Sequence, residues 1–415
     1  MEGGDRQDEK PSFSFAELEE YAESGKLDGQ LFLSRPTYSN EPKPVKCSDK
    51  TFHFDLSKLP NDKKATALND TVPEKINQYN LGKNPIGAGQ YGWVFKATNT
   101  KTNEEVAMKI MAKIPQSTAG DNVPSAVFRE IFNFRLLKHP NIVEMIELIE
   151  CKHFYAIVMP MYKMTLRRWI EKNGPTAQEA EKKNICKQLL EALNYIHMQH
   201  MMHRDLKPEN IMMKSDGTPI IIDLGLCREF GALWQKPFSN EVLTMGYRPP
   251  EIVLGCKLYD KSIDVWSLGA IMFEIYTLNP LIDIHYKEKD GVGKIKTEVL
   301  GMALLWDLLE PEFEVKSLNG IQFSPERTLL DQLRKEANLH PRLLLGFQDP
   351  HVAKVKDLIK AMVMIDPKKR ISLIDALDHR YFKESQAPPP TAPNQPAPMH
   401  TATSQSVSDY RSPYF

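Results

Sequence analysis

The run His203-Arg204-Asp205-Leu206-Lys207-Pro208-Glu209-Asn210 decides how the rest of the chain is read. It gathers a carboxylate, an ammonium and a side-chain amide into one short loop. Asp205 can accept the proton of an incoming hydroxyl. Lys207 can offset charge on a transferring phosphoryl group, and Asn210, five residues after Asp205, can ligate a metal from the same loop. Asp223-Leu224-Gly225 follows after the apolar run Ile220-Ile221-Ile222, which reads as a strand. A carboxylate at a strand end suits Mg²⁺ bridging nucleotide phosphates. Chance does not readily produce this run and this acidic turn together.

Working back toward the N-terminus, Gly87, Gly89 and Gly92 form Gly-x-Gly-x-x-Gly, with Val94 just after. Such a turn lets backbone N–H groups approach phosphate oxygens unobstructed. A dinucleotide-binding turn would lead directly into a helix. Trp93-Val94-Phe95-Lys96-Ala97 follows instead, and that composition predicts a strand, hence a loop between two antiparallel strands. Lys109 ends Val106-Ala107-Met108-Lys109, 17 residues after Gly92. It is either a solvated lysine on an alternating strand or a lysine facing a nucleotide cleft. In the second case Glu130, in the next helical segment, can reach it, and the pair would set the lysine on the α and β phosphates.

Composition narrows the function classes. Lys plus Arg is 53 and Asp plus Glu is 54, giving a formal net charge of -1 over 415 residues. That balance argues against binding nucleic acid or an acidic membrane through bulk charge. No apolar run approaches the roughly 18–20 residues of a membrane span. The first residues, Met-Glu-Gly-Gly-Asp-Arg, lack the basic-then-apolar pattern of a secretory signal. Cys47, Cys151, Cys186, Cys227 and Cys256 are scattered, with no Cys-x-x-Cys pair, which predicts reduced, mostly buried thiols and a cytoplasmic or nuclear location.

Three zones follow. Residues 1–78 are polar and Pro-broken, an N-terminal extension expected to be partly disordered. Its one helical signal is the Ser14/Glu17 capping-box spacing, which fits a surface helix or a docking segment. Residues 79–383 carry the periodic apolar pattern and the motifs. Ile86–Ala97 reads as a hairpin, Glu105–Ile110 and Phe154–Met159 as strands, and Val127–Lys138 as an amphipathic helix. Ile185, Leu189, Leu193 and Ile196 recur at helical spacing, and Ile263–Tyr276 is apolar on most faces. A β-rich front and a helical back predict an α+β chain of two lobes with a cleft between them. Residues 384–415, rich in Pro, Ser and Thr, have too little apolar surface to offset the entropy of ordering.

The motif order is that of a Gly-rich loop, Val-Ala-Met-Lys, a helix Glu, His-Arg-Asp, Asp-Leu-Gly and Pro-Pro-Glu. Over residues 79–383 it resembles the eukaryotic protein kinases. The resemblance implies the two-lobed protein kinase fold, a small β-rich N-lobe and a larger helical C-lobe, and transfer of the ATP γ-phosphate to protein hydroxyls with Mg²⁺. Asp205, Lys207, Lys109 and Glu130 would be the catalytic set. Ile86, Gly87, Ala88, Gly89, Gln90, Tyr91, Gly92, Val94, Lys109 and Met161 would contact the nucleotide, and Asn210 and Asp223 the metal. Lys207-Pro208-Glu209-Asn210 is similar to the Ser/Thr kinases. Arg370 would pair with Glu251, and Asp264 to Gly269 resembles the family's central helix.

Pro124-Ser125-Ala126-Val127-Phe128-Arg129-Glu130 resembles the matching helix of the cyclin-dependent kinases, departing at its three middle positions. Tyr91 matches their inhibitory tyrosine, and Arg248 the arginine linked to proline-directed specificity. Gly246 and Pro249 depart from the family's usual Trp and Ala. Ser239 falls where that family has its activating threonine, and Arg129, Arg204 and Arg228 stand where its phosphate-binding arginines do. Val158 would be the gatekeeper, with Met159-Pro160-Met161 as hinge and the Met161 backbone toward adenine. Val127 and Phe128 are either helix core or an apolar face for a cyclin-like activating subunit. The expected partners are thus protein substrates and such a subunit. The competing readings are a cyclin-independent proline-directed kinase and a pseudokinase scaffold. The second usually lacks Lys109, Asp205 or Asp223.

Overall fold

In the computed structural model, residues 45–46, 73–89, 92–112, 125–151, 154–230, 244–254, 256, 258–282, 309 and 352–383 are described. The Ser14/Glu17 helical signal, Gln90, Tyr91, Ser239 and the 384–415 tail lie outside them.

A seven-stranded sheet forms the first lobe, from β1 (Val45–Lys46), β2 (Lys75–Ile76), β3 (Tyr79–Gly89), β4 (Gly92–Asn99), β5 (Glu105–Ala112), β6 (Glu147–Glu150) and β7 (Phe154–Pro160). Their order is β1-β6-β7-β5-β4-β3-β2, and all pairs are antiparallel except β1 with β6. Val45 and Lys46 thus add a short parallel edge strand from within the N-terminal extension. Side chains alternate across a strand, and this sheet is covered on both faces. Ile76, Tyr79, Phe95, Met108, Ile110 and Val158 pack together on the outer face. Ala107, Met111, Ile157 and Met159 face inward and join the main core.

Helix α1 (Ser125–Leu136) lies between β5 and β6 in the chain, with Val127, Ile131 and Phe134 buried. The Asn133 Nδ2 donates to the Leu224 carbonyl at 2.9 Å, tying α1 to the Asp223 segment. The helical lobe contains α2 (Leu166–Lys172), α3 (Glu179–Met198), α4 (Pro250–Val253), α5 (Ser262–Thr277), α6 (Lys356–Met362), α7 (Leu373–Leu377) and α8 (Arg380–Lys383). Thr165 caps α2 by accepting from the Arg168 N–H. Every residue of α5 from Ile263 to Thr277 is buried, as its all-round apolar pattern predicts. Short strands complete this lobe: β8 (Met164–Thr165), β9 (Met201–Met202), β10 (Ile211–Met213), β11 (Pro219–Ile221) and β12 (Arg228–Glu229). They pair as β11-β10-β8 and β12-β9. The Asp205 loop therefore sits between β9 and β10, and Asp223 just past β11. The described cysteines, Cys151, Cys186, Cys227 and Cys256, are free and buried. No described helix is long and apolar enough to cross a membrane.

Candidate active site

The Asp205 loop is held from below by one buried carboxylate. Asp264, near the start of α5, accepts the His203 N–H at 2.8 Å and the Arg204 N–H at 2.8 Å, and lies 2.9 Å from His197 Nε2. Burial alone would raise the Asp264 carboxyl. The His197 bond, His197 and His203 together, and the Arg204 N–H instead hold it below its usual value. These bonds stabilise an uncommon backbone, since Arg204 has φ 68, the left-handed region that side chains usually avoid.

Asp205 is then gripped on several sides. Its Oδ2 accepts from Lys207 Nζ and from Asn210 Nδ2, both at 2.8 Å. Its Oδ1 accepts from the Thr244 hydroxyl at 3.0 Å, while Thr244 Oγ1 accepts from Lys207 Nζ at 2.8 Å. Thr244 is a site residue that motif reading missed. Its signal was its place, seven residues before Glu251. One cation and two neutral donors leave the carboxylate with little rotamer freedom, which is what a positioned proton acceptor needs.

On the sheet side, Lys109 is buried and its Nζ donates to Glu130 Oε1. The solvated-face alternative for Lys109 is thereby excluded. Lys109 also lies in the electrostatic reach of Asp223. Burial opposes the charged form of Asp223, but the Lys109 ammonium and the Gly225 N–H (3.1 Å) hold its carboxyl below the usual value. Burial holds the Glu130 carboxyl above its usual value, against the pull of Lys109 and with the push of Asp223. Glu130 Oε2 has no hydrogen-bond partner. Gly225 leaves room here: a Cβ would stand 3.3 Å from both Asp223 Oδ1 and Glu130 Oε2, a tight fit.

The Gly-rich hairpin is formed by β3 and β4, with Gly87 opposite Val94, Ala88 opposite Trp93 and Gly89 opposite Gly92. Ile86 is half-exposed beside a register shift. Gly92 has a packing reason of its own, because a Cβ there would lie 2.1 Å from the Ile110 carbonyl oxygen. Val94 stands opposite Lys109, Lys109 opposite Ile157, and Ala107 opposite Met159. This row gives the cleft an apolar wall with one lysine in it.

The gatekeeper expectation at Val158 is corrected. Val158 belongs to the outer-face core, and Met159 is the residue on the inner face beside Ala107. A one-residue shift along a strand moves a side chain to the opposite face. Val127 is buried, so on the open question of the α1 face it is core; Phe128 is half-buried with its ring centroid 6.2 Å from that of Tyr155. Phe132 is the exposed apolar residue of α1. Met161 is half-buried against the main core and lines a cavity of about 640 Å³ with Met164, Trp169, Met213 and Asp216. That cavity does not include Asp205, Lys109 or Asp223.

Among the described residues no group of three or more His, Cys, Asp or Glu side chains could cage a metal. Asp223 and Asn210 instead supply an ionised carboxylate and an amide oxygen. Such a sparse set of hard oxygen donors fits Mg²⁺, which retains waters and takes phosphate oxygens. Of the expected phosphate-binding arginines, Arg204 donates to Tyr259 Oη at 3.2 Å, and Arg228 also acts electrostatically on Tyr259. Arg129 is half-buried on α1, one residue before Glu130. Arg370 grips Glu251 with two nitrogens, each at 2.6 Å.

The protein kinase domain family matches residues 81–382. "Cyclin-dependent kinase 1" of Encephalitozoon cuniculi is 33% identical over 303 residues, 72% of this chain and 94% of that protein. "Cyclin-dependent kinase D-1" of Arabidopsis thaliana is 32% identical over 328 residues, 77% of this chain and 75% of that protein.

Proposed function

The chain belongs to the protein kinase family, in its cyclin-dependent-kinase-like branch, and from that premise we propose how its residues share the work. It is a protein serine/threonine kinase, which implies ATP as phosphoryl donor and proteins as acceptors. Mg-ATP, when bound, supplies the γ-phosphoryl group and neutralises charge on its oxygens.

Asp205 is the proton acceptor for the Ser or Thr hydroxyl. Lys207 steadies Asp205 and offsets charge that develops on the transferred group. Lys109, fixed by Glu130, binds phosphate oxygens, and Asn210 with Asp223 offers oxygens to Mg²⁺. Ile86 to Gly92 covers the phosphates, and Val94 and Met161 contact the nucleotide. Catalysis of this kind is mainly positioning and electrostatics. The observation that carries the reading is the clamp on Asp205 by Lys207, Asn210 and Thr244. Asp205→Asn should lower turnover by several powers of ten, about the combined worth of base and positioning. Near-normal turnover of that variant on a Ser/Thr peptide library would remove Asp205 from the role.

The finer reading is a proline-directed enzyme with a cyclin-like subunit, switched by phosphorylation of Ser239 and Tyr91. Arg248 supports the proline preference. Arg204 and Arg228, near one another at Tyr259, support an anion site for phosphoserine. Phosphopeptide mapping after incubation with Mg-ATP tests Ser239 and the proline preference together. One observation favours the alternative of cyclin-independent activity: Lys109 and Glu130 already pair within the single chain. Full activity of the purified monomer supports that alternative. Strong stimulation by a stoichiometric cyclin-fold partner supports the first.

A further inference from the structure

Arg167, at the start of α2, reaches into an acidic pocket beside the Asp205 loop. Its Nε donates to Glu209 Oε1 at 2.8 Å, its Nη1 to Glu274 Oε1, and its Nη2 to Tyr247 Oη at 2.5 Å. Tyr247 in turn donates to Glu274 Oε2 at 2.7 Å. All three nitrogens of the guanidinium are thus engaged, a match that a planar fork provides and an ammonium does not.

The walls of this pocket come from the two segments that hold Asp205. Glu209 lies two residues past Lys207, and Tyr247 three residues past Thr244. The pocket is therefore joined, through both segments, to the residues that bond Asp205. The Glu274 side chain is 2% exposed, whereas Glu209 is 46% and Arg167 28% exposed. Glu274 cannot stand buried without a cation nearby at tolerable cost. The outer half of the pocket, at Glu209, opens to solvent. The site is built for one guanidinium, and the chain provides that guanidinium from its own α2.

We propose that Arg167 is a specificity-determining residue: it fills a guanidinium pocket next to the acceptor site, so that an arginine in the substrate finds the pocket closed. An incoming arginine would have to displace an internal one that loses no translational freedom on binding. A site already filled is an element built against the unwanted partner. The proposal rests on the kinase reading and goes beyond it by stating a class of acceptor sequence that the enzyme rejects.

The test is a positional peptide library in which Arg and Ala are compared at each position around the acceptor Ser or Thr. Wild type, Arg167→Ala and Arg167→Ala/Glu274→Gln are assayed for kcat/KM. Wild type should not select arginine at the position where Arg167→Ala gains it. Arg167→Ala should raise the Arg-to-Ala ratio at one position by about tenfold or more, the scale of a charged hydrogen bond, and the double variant should lose that gain. A wild type that already selects arginine beside the acceptor overturns the proposal, whatever the variants do. So does a parallel fall on every peptide in Arg167→Ala, which is the mark of a purely structural role. A wild type inactive on all peptides both alone and with a cyclin-fold partner would instead sink the kinase reading, and the proposal with it.

Discussion

Thr244 donates its hydroxyl to Asp205 Oδ1 at 3.0 Å while accepting from Lys207 Nζ at 2.8 Å. One side chain thereby links the proton acceptor to the nearest cation, from a segment 39 residues away in sequence. The link couples the position of the Tyr247 to Glu251 stretch to the orientation of the Asp205 carboxylate. Thr244→Val keeps the shape and removes both bonds. It should lower kcat by about 10- to 100-fold, a fraction of the roughly 10²- to 10⁴-fold that a positioned base contributes. Thr244→Ser should recover most of the loss. Unchanged kcat in the valine variant would show that Lys207 and Asn210 alone suffice to orient Asp205.

The buried Lys109–Glu130 pair predicts an asymmetric response. Lys109 also feels Asp223, so it keeps a carboxylate neighbour when Glu130 is neutralised. Lys109→Met leaves Glu130 beside Asp223 without its own cation, and burial already disfavours the charged form of Glu130. Lys109→Met should therefore cost more, both in activity (about 100-fold or greater) and in stability, near the roughly 3–5 kcal/mol of a broken buried pair. Glu130→Gln should cost less on both counts. Steady-state kinetics and urea titration of the two variants decide this, and equal losses would mean that Asp223 gives Lys109 no support.

The contrast between these two sites shows what a sequence can disclose. Asp205, Lys207, Asn210 and Asp223 were legible because their chemistry is concentrated in two short runs. Lys109 and Glu130 were legible as partners because a strand and the following helix are neighbours in the chain. Thr244 was not, because a lone threonine has no pattern and its partner lies 39 residues away. Arg167 was hidden for the same reason, with partners 42, 80 and 107 residues away. The Val158 error has another origin. Apolar residues on both faces of β7 erase the alternation that normally tells one face from the other. Only the pairing of Met159 with Ala107 restores it.

Glu251 and Arg370 form a bidentate pair with both side chains almost fully buried, 119 residues apart. Arg370 also donates to the Met364 and Ser262 carbonyls, and its guanidinium lies 5.1 Å from the Trp266 ring centroid. It thus joins the end of the Thr244 segment to α5 and to the 364–370 stretch. Arg370→Leu leaves Glu251 buried without its partner and should cost about 3–5 kcal/mol. Adding Glu251→Leu should return part of that loss, since an apolar pair of similar volume avoids the desolvation of both charges. Chemical denaturation of the single and double variants measures it. A single-variant cost below about 1 kcal/mol, the worth of an exposed pair, would contradict the burial argument.

His203 gives the fold a dependence on pH. It is buried, and its Nδ1 accepts the Asp205 N–H at 3.2 Å, a bond that protonation of Nδ1 would remove. Burial pushes its pKa below the usual 6.5, although Asp264, Asp205 and Asp223 pull the other way. The unfolded chain therefore binds a proton just below pH 6.5 while the folded chain does not. The stability contributed by neutral His203 is complete above pH 6.5 and is lost as pH falls toward its folded pKa, at a slope of up to about 1.4 kcal/mol per pH unit. His139, also lowered by burial, acts in the same direction. Glu130, raised by burial, acts in the opposite direction at pH above 4.5. The difference between parent and His203→Asn isolates the His203 share, because Asn can still accept the Asp205 N–H. Denaturation at pH 7.5, 6.5 and 5.5 should show the parent losing stability faster than the variant over the lower interval. Parallel pH profiles would mean that His203 is protonated equally well in the folded and unfolded chains.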